Sequence, residues 1–283
     1  SSFFIFLNKK LNQNKNVFFS FIYGWLFGFG YFASNLYWIS ISLTFDENFT
    51  FLIPITIILI PAFLALFYGL ISYFFFIFGS KKIISSFLIF SLIFGFLEFV
   101  RGSILTGFPW NLIAYSFANQ LEILSITSII GTYGFNLFCI SLFTSPAIFI
   151  LRNKKKDIRV TIFFLISVII FYIYGISYKK NFFKEEKKSY DFKIRTIGSN
   201  ISLDRFYQNT DTLMVIRDLI KLSNPISDKK TIFVWPEGII PNISQLELSD
   251  FKSLFERKFN ENHLLGLGIN SNEKIDDKYK FYN

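Results

Sequence analysis

Long apolar runs separated by short polar loops fill the first two-thirds of the chain, and then the pattern changes. The runs cover Val17 to about Phe45, Phe51–Phe78, Ile83–Val100, Ile123–Leu151 and Val160–Tyr178. Each is long enough to cross a bilayer, some with tilt, so five membrane-spanning helices are expected. Gly24 and Gly28 lie four apart in the first run, a small-x-x-x-small spacing that lets helices approach closely in lipid. Pro54 stands near the start of the second run and Pro61 inside it, where a kink is expected. Ser1–Asn16 is mixed in character, and the first run is too long, and lacks a small-residue cleavage site, for a signal peptide.

From about Ser189 the periods shorten. Phe192–Ile197 alternates as a half-buried strand and ends in Gly198-Ser199-Asn200. Arg205–Leu222 has helical spacing, with Leu213, Ile216, Leu219 and Ile220 on one side. Ile232–Trp235 is a second strand, Ser249–Asn262 a second helix with Phe251, Leu254, Phe255 and Phe259 inward, and Leu264–Ile269 a third strand. Strands alternating with helices begin an α/β domain. About 95 residues follow the linker, which is thin for a complete one. The expected organisation is a helical membrane domain over 1–178, a linker over 179–188 and the first part of an α/β domain over 189–283.

Charge orients the spans. Lys9, Lys10 and Lys15 precede the first; Lys81 and Lys82 join the second and third; Arg152, Lys154, Lys155, Lys156 and Arg159 join the fourth and fifth. The other side carries Asp46, Glu47 and a single basic residue, Arg101. By the positive-inside rule the N-terminus is cytoplasmic, and five spans put everything after Tyr178 outside.

Composition adds bounds. The 283 residues are 52% hydrophobic and 21% aromatic, with 41 Phe, and the mean hydropathy is +0.43. A soluble domain has about 45–50% apolar residues and far fewer aromatics. The net charge of +9 does not point to nucleic acid, because the basic residues flank apolar spans instead of forming a stripe with interleaved aromatics. One cysteine, Cys139, and one histidine, His263, exclude an internal disulfide and multi-cysteine or multi-histidine metal sites. Cys139 lies in an apolar span, where a thiol is inert packing. His263 stands at a helix–strand junction and reads as a turn residue.

Two stretches carry candidate chemistry. Thr231-Ile232-Phe233-Val234-Trp235 ends at Pro236, which cannot donate to a ladder, and Glu237 follows at once. A carboxylate at the end of a buried strand is placed for general-base work; the alternative is a charged residue in an ordinary turn. Between the third and fourth spans, Leu97-Glu98-Phe99-Val100-Arg101 leads to Thr106-Gly107-Phe108-Pro109-Trp110-Asn111. Glu98 and Arg101 share a helical face and can pair near the outer interface, while Trp110 and Tyr115 suit an aromatic belt. An anchoring loop and a wall for lipid access both fit.

These motifs, with Gly131-Thr132-Tyr133-Gly134, Val234-Trp235-Pro236-Glu237 and Pro241, Ser199-Asn200-Ile201 and Tyr282-Asn283, resemble bacterial apolipoprotein N-acyltransferase in order and spacing over most of the chain. The resemblance implies a multi-span membrane domain followed by a periplasmic nitrilase-like α-β-β-α sandwich, incomplete here, in the bacterial inner membrane. It implies transfer of a fatty acyl chain from a phospholipid donor, through a cysteine thioester, to the N-terminal diacylglyceryl-cysteine of an apolipoprotein acceptor. That is two-step acyl transfer through an activated thiolate, with no cofactor.

On that resemblance Glu237 matches the catalytic base; Trp110 and Asn111 are candidates to bind substrate on the lipid-access wall, and Tyr207, near the position where many members carry a tryptophan, is a candidate for an aromatic wall of the substrate site. The family's lysine and nucleophilic cysteine follow the Tyr-Asn at 282–283, and Cys139 cannot replace the cysteine. Ser1 in place of an initiator methionine, and fewer spans than the family has, point to truncation at both ends. As written, the chain is expected to be catalytically inactive. The competing classes are a membrane scaffold with a degenerate nitrilase-like domain and a transporter. The transporter is disfavoured by the scarcity of ionisable residues within the spans.

Overall fold

A computed structural model describes residues 1–13, 16–104, 107–152, 154, 157–184, 190–198, 211–240, 243–269, 271–275 and 278–282, without the side chains of 272–282. The chain divides into two compact units, Ser1–Glu186 and Lys187–Asn283.

The first unit is helical: α1 (Ser2–Asn12), α2 (Val17–Leu36), α3 (Ile53–Phe78), α4 (Ile83–Ser103), α5 (Leu121–Leu124), α6 (Thr127–Thr144), α7 (Pro146–Leu151) and α8 (Ile158–Lys184). Among the described residues, five helical stretches are long and apolar enough to cross a membrane: Val17–Thr44, Glu47–Phe78, Ile83–Ser103, Thr127–Leu151 and Ile158–Lys184. Large apolar side chains stay exposed along them, among them Leu59, Phe63, Phe163, Ile169 and Ile173. Such a surface is a liability in water and a matched one in hydrocarbon.

The N-terminal segment, read from sequence only as mixed, is the helix α1. Phe4 and Leu7 are buried on one face with Asn8, whose Oδ1 accepts the Ser86 hydroxyl at 2.7 Å. Lys9 and Lys10 close its last turn, where cations favour the helix dipole.

The two long N-terminal spans meet through their small residues. A Cβ on Gly24 would collide with the Tyr68 carbonyl and the Ser72 side chain, and one on Gly28 would sit 2.6 Å from Tyr68 Cβ. Tyr68, fully enclosed, is ringed by Tyr31, Phe32 and Phe94 at centroid distances of 5.7, 5.2 and 5.2 Å. The helix α3 runs on through Pro61, and the Trp25 indole donates to the neighbouring Ala62 carbonyl at 3.0 Å. The 3-10 turns Tyr37–Thr44 and Glu47–Leu52 link α2 to α3.

The fourth expected span is not one helix. Its first turn, α5, is separate, Gly131 takes φ +69° and ψ 171° inside α6, and α7 restarts at Pro146. Only glycine adopts that Gly131 conformation without steric cost.

The second unit is built on a parallel sheet, β1 (Lys193–Thr196), β2 (Thr231–Val234) and β3 (His263–Gly266), in the order β1-β2-β3. The register aligns Ile194 with Ile232 and Ile232 with Leu264. On the opposite face Phe233 packs with α9 (Thr212–Ser223) through Val215, Ile216 and Leu219. Trp235, buried just past β2, donates from Nε1 to Ser223 Oγ at 2.9 Å. The short helices α10 (Gln245–Leu248) and α11 (Lys252–Glu256) follow, and β4 (Ser271–Ile275) pairs antiparallel with β5 (Lys278–Tyr282).

Several sequence expectations for this unit change. Of the strand expected over Phe192–Ile197, Ile197 is buried in the core and Phe192 partly so, while β1 itself is exposed, because it is an edge strand and Ile194 lies on a face that no described element covers. The second helix was expected to run unbroken over Ser249–Asn262; instead a capping box at Ser244 and Glu247 opens α10, a 3-10 turn intervenes, and α11 ends at Glu256. The helix expected from Arg205 is described from Thr212, where the Asp211 carboxylate caps the Leu213 N–H. His263 is no turn residue: it starts β3, buried, with Nδ1 accepting the Asn260 N–H at 3.1 Å. Nε2, 3.0 Å from the Ile226 carbonyl, must then carry the proton.

Candidate functional site

In the first unit the polar residues converge where α4 ends. Glu98 and Arg101 are one turn apart, and both are about 1% exposed. Arg101 Nε donates to Glu98 Oε1 at 3.2 Å and Nη2 to Oε2 at 2.9 Å, a two-point contact that fits the planar guanidinium to the carboxylate. Nη1 continues outward, donating to the Phe108 carbonyl at 2.7 Å and the Trp110 carbonyl at 3.0 Å. The rings of Phe32 and Phe108 flank the cation, 5.4 and 5.9 Å from its centre. A buried charge pair persists only when its remaining donors and acceptors are satisfied, and here the loop carbonyls do that. The pair expected near the interface therefore exists, and it is a buried anchor for the loop.

The loop's backbone needs that anchoring. Gly107 has φ +75°, and a Cβ there would meet the Gly102 carbonyl oxygen at 2.7 Å. Asn111 also sits in the left-handed region, at φ +58°, which asparagine tolerates better than most residues. Its carbonyl accepts the Tyr31 hydroxyl at 2.9 Å. Three residues on, Ala114 N–H donates to the buried Asn136 Oδ1 at 3.0 Å. The Asn136 amide nitrogen is buried and finds no hydrogen-bond partner among the described residues. Tyr31 and Asn136 were not singled out from the sequence, where nothing marks a partner 80 or 22 residues away.

Against this loop lies a cavity of about 510 Å³. Leu59, Phe63 and Phe67 of α3 form one wall, and Gly107, Phe108 and Arg101 the other. Its chemistry is apolar with one enclosed cation, the usual make-up of a small-molecule site. Trp110 and Asn111 do not line it. Trp110 is half-exposed beside it, its ring 5.4 Å from that of Phe108 and stacked on Trp38 at 5.3 Å.

In the second unit Glu237 stands just beyond the β2 end. Ladder bonding continues one residue past the strand, with Trp235 N–H donating to the Gly266 carbonyl at 2.9 Å, and Pro236 then supplies no donor. Gly238 turns the chain at φ +60°, and its N–H reaches the Gly268 carbonyl at 3.3 Å. A Cβ on Gly268 would lie 2.9 Å from Glu237 Cγ, so the carboxylate arm is laid along the backbone after β3. Glu237 was expected in a low-dielectric setting; in this chain it is exposed, because no described element covers the strand end. Tyr207 lies outside the described residues. Cys139 is buried in the first unit, as expected of a packing residue. Among the described residues no group of His, Cys, Asp and Glu could hold a metal ion.

These features define a multi-span helical membrane protein with a pinned loop beside an apolar cavity, continued by a parallel α/β unit. Residues 2–145 match the family model described as the apolipoprotein N-acyltransferase N-terminal domain, and the chain belongs to that family. It is 29% identical over 226 residues to the apolipoprotein N-acyltransferase of Brucella melitensis biotype 1, covering 78% of this chain and 42% of that protein. It is 30% identical over 236 residues to that of Rhizobium etli, covering 79% and 43%. It is 29% identical over 269 residues to that of Rickettsia typhi, covering 92% and 51%. The chain thus spans about half the length of these relatives.

Proposed function

We propose that the chain is part of an N-acyltransferase that moves a fatty acyl chain from a phospholipid, through a cysteine thioester, to the N-terminal diacylglyceryl-cysteine of apolipoproteins. The family match over residues 2–145 carries this reading. The cavity between α3 and the Arg101-anchored loop supports it, since an apolar site opening among exposed apolar side chains suits an acyl chain. The protein sits in the bacterial inner membrane, with the N-terminus cytoplasmic and the second unit periplasmic, as the distribution of Lys and Arg argues.

The second unit is the beginning of a nitrilase-like sandwich, and Glu237 is its general base. The base takes the thiol proton so that the thiolate attacks the donor ester carbonyl. The acyl–oxygen bond then breaks, the proton held by Glu237 passes to the leaving oxygen, and the lysophospholipid departs as the alcohol. In the second step the acceptor's α-amino group attacks the thioester and the thiolate is released. The family's stabilising lysine and nucleophilic cysteine complete the site with Glu237.

The test is Glu237→Gln in the full-length protein, with a labelled phospholipid as donor. Membrane insertion should be unchanged and no labelled thioester should form. Normal acylation of the variant would remove Glu237 from the role of base.

A further inference from the structure

The second unit carries a groove of different chemistry, away from Glu237 in sequence and lined by other elements. Arg217 and Lys221 lie four apart on one face of α9, and Arg257 and Lys258 follow α11 directly. The four surround a depression of about 350 Å³ whose floor includes Ile220 and Leu254. A fifth cation, Arg195, reaches the same corner through Nη1, 3.5 Å from the Asn224 carbonyl.

Among the described residues no carboxylate lines the groove. The four ion pairs among the described residues are Arg101–Glu98, Lys179–Glu122, Lys230–Asp191 and Lys252–Glu256, so none of the groove cations is neutralised in that way. The C-terminal end of α9 contributes about half a negative charge, far less than four side-chain cations. Like charges held together without a counter-charge repel, and an anion bound among them relieves that cost.

We propose that this groove docks the unit onto the phosphate groups of anionic phospholipids at the membrane surface. The cations meet the phosphates, and the Ile220–Leu254 floor accepts the apolar part of the glycerol region. Three observations favour lipid over another anion. The unit follows the candidate span Ile158–Lys184 after a short connector, so a bilayer is present at high effective concentration. Lys180, Lys184, Lys187 and Lys188 outnumber Glu185 and Glu186 around that connection, a net positive charge that favours anionic headgroups beside a span. The depression also pairs charge at its rim with an apolar floor, which an inorganic anion would not need.

The test uses the whole chain in nanodiscs, with a fluorophore on Ser253→Cys beside the groove and headgroup-nitroxide lipids as quenchers. In discs containing phosphatidylglycerol the probe should be quenched. Quenching should be lost in purely zwitterionic discs, at about 0.5 M salt, where screening shortens to a few Å, and in the Arg217→Gln/Lys221→Gln/Arg257→Gln/Lys258→Gln variant. Quenching that ignores lipid charge and salt would overturn the proposal even if that variant failed to fold. So would an equal spectral shift on adding inorganic phosphate to zwitterionic discs, which would mark a small-anion pocket. None of these readouts depends on acyl transfer, so the proposal stands or falls apart from the enzymatic reading.

Discussion

Arg101 grips Glu98 at two points and, with its remaining Nη1, holds the carbonyls of Phe108 and Trp110. One buried ion pair thereby fixes both the end of α4 and the course of the following loop. Removing either partner strands a charge out of water, whereas the intact pair balances its own desolvation. Arg101→Ala should lower stability by about 3–5 kcal/mol, read as a fall in thermal midpoint in detergent. Glu98→Leu/Arg101→Met should recover part of that loss but not the loop. Limited proteolysis would show residues 107–111 more readily cut in both variants, and a loop equally resistant in the double variant would contradict the anchoring.

Gly28 and Gly30 are two residues apart on α2, and their surroundings predict opposite outcomes. A Cβ at Gly28 would lie 2.6 Å from Tyr68 Cβ and 3.1 Å from Ala65 Cα, the second a backbone atom that cannot swing aside. A Cβ at Gly30 meets nothing within 4 Å. Gly28→Ala should therefore separate α2 from α3 and cost about 1–3 kcal/mol. Gly30→Ala should be neutral or stabilising by up to about 1 kcal/mol, from helix propensity. Detergent-resistance melting curves on the pair check both signs in one experiment.

Much of the membrane unit was legible because lipid-exposed helices declare themselves by length and apolarity. The Gly24–Gly28 spacing and the Glu98–Arg101 pair were legible too, since one helix fixes both geometries. What escaped depended on partners distant in sequence. α1 looked mixed because its polar residues are frequent; only the burial of Phe4, Leu7 and Asn8 against the bundle makes it a packed helix. The Tyr31 and Asn136 supports of the loop had no local signature. At Glu237, proline and strand end were readable from residues 231–237, but exposure depends on what covers the strand end. The alternation around β1 likewise implies a buried partner for Ile194 that the described residues do not supply, although Ile197 at the strand's end does reach the core.

At the sheet edge, Lys230 Nζ donates to Asp191 Oδ2 at 2.6 Å, just before β1 and β2 begin their pairing. That hydrogen bond, with the lysine's charge, holds the Asp191 carboxyl below its usual range, and the Lys230 ammonium is raised in turn. A depressed carboxylate contributes fully above its unfolded value of about 3.9, and the contribution is lost as pH falls through the folded value. The raised lysine contributes fully below its unfolded value of about 10.4 and is lost as pH rises through its folded one. Both partners are solvent-exposed, so the effect should be small and salt-sensitive. A carboxyl-carbon NMR titration should place Asp191 below a free aspartate, and Lys230→Met should return it upward. An unmoved midpoint in that variant would show that the pair does not persist in solution.

Trp38 and Trp110 stack at 5.3 Å with both rings about half-exposed, outside the cavity that Phe108 helps to wall. If the pair only anchored the loop at the interface, Trp110→Ala would reduce folded yield and activity together. The Arg101 and Tyr31 hydrogen bonds already hold the backbone at 108, 110 and 111, so the indole is not needed for the fold. Trp110→Ala in the full-length protein should therefore insert normally and slow thioester formation from phospholipid, with Trp110→Phe intermediate. The acceptor step, started from preformed thioester, should be unaffected. Equal loss of expression and of donor-step rate would favour the anchoring role and confine lipid access to the α3 wall.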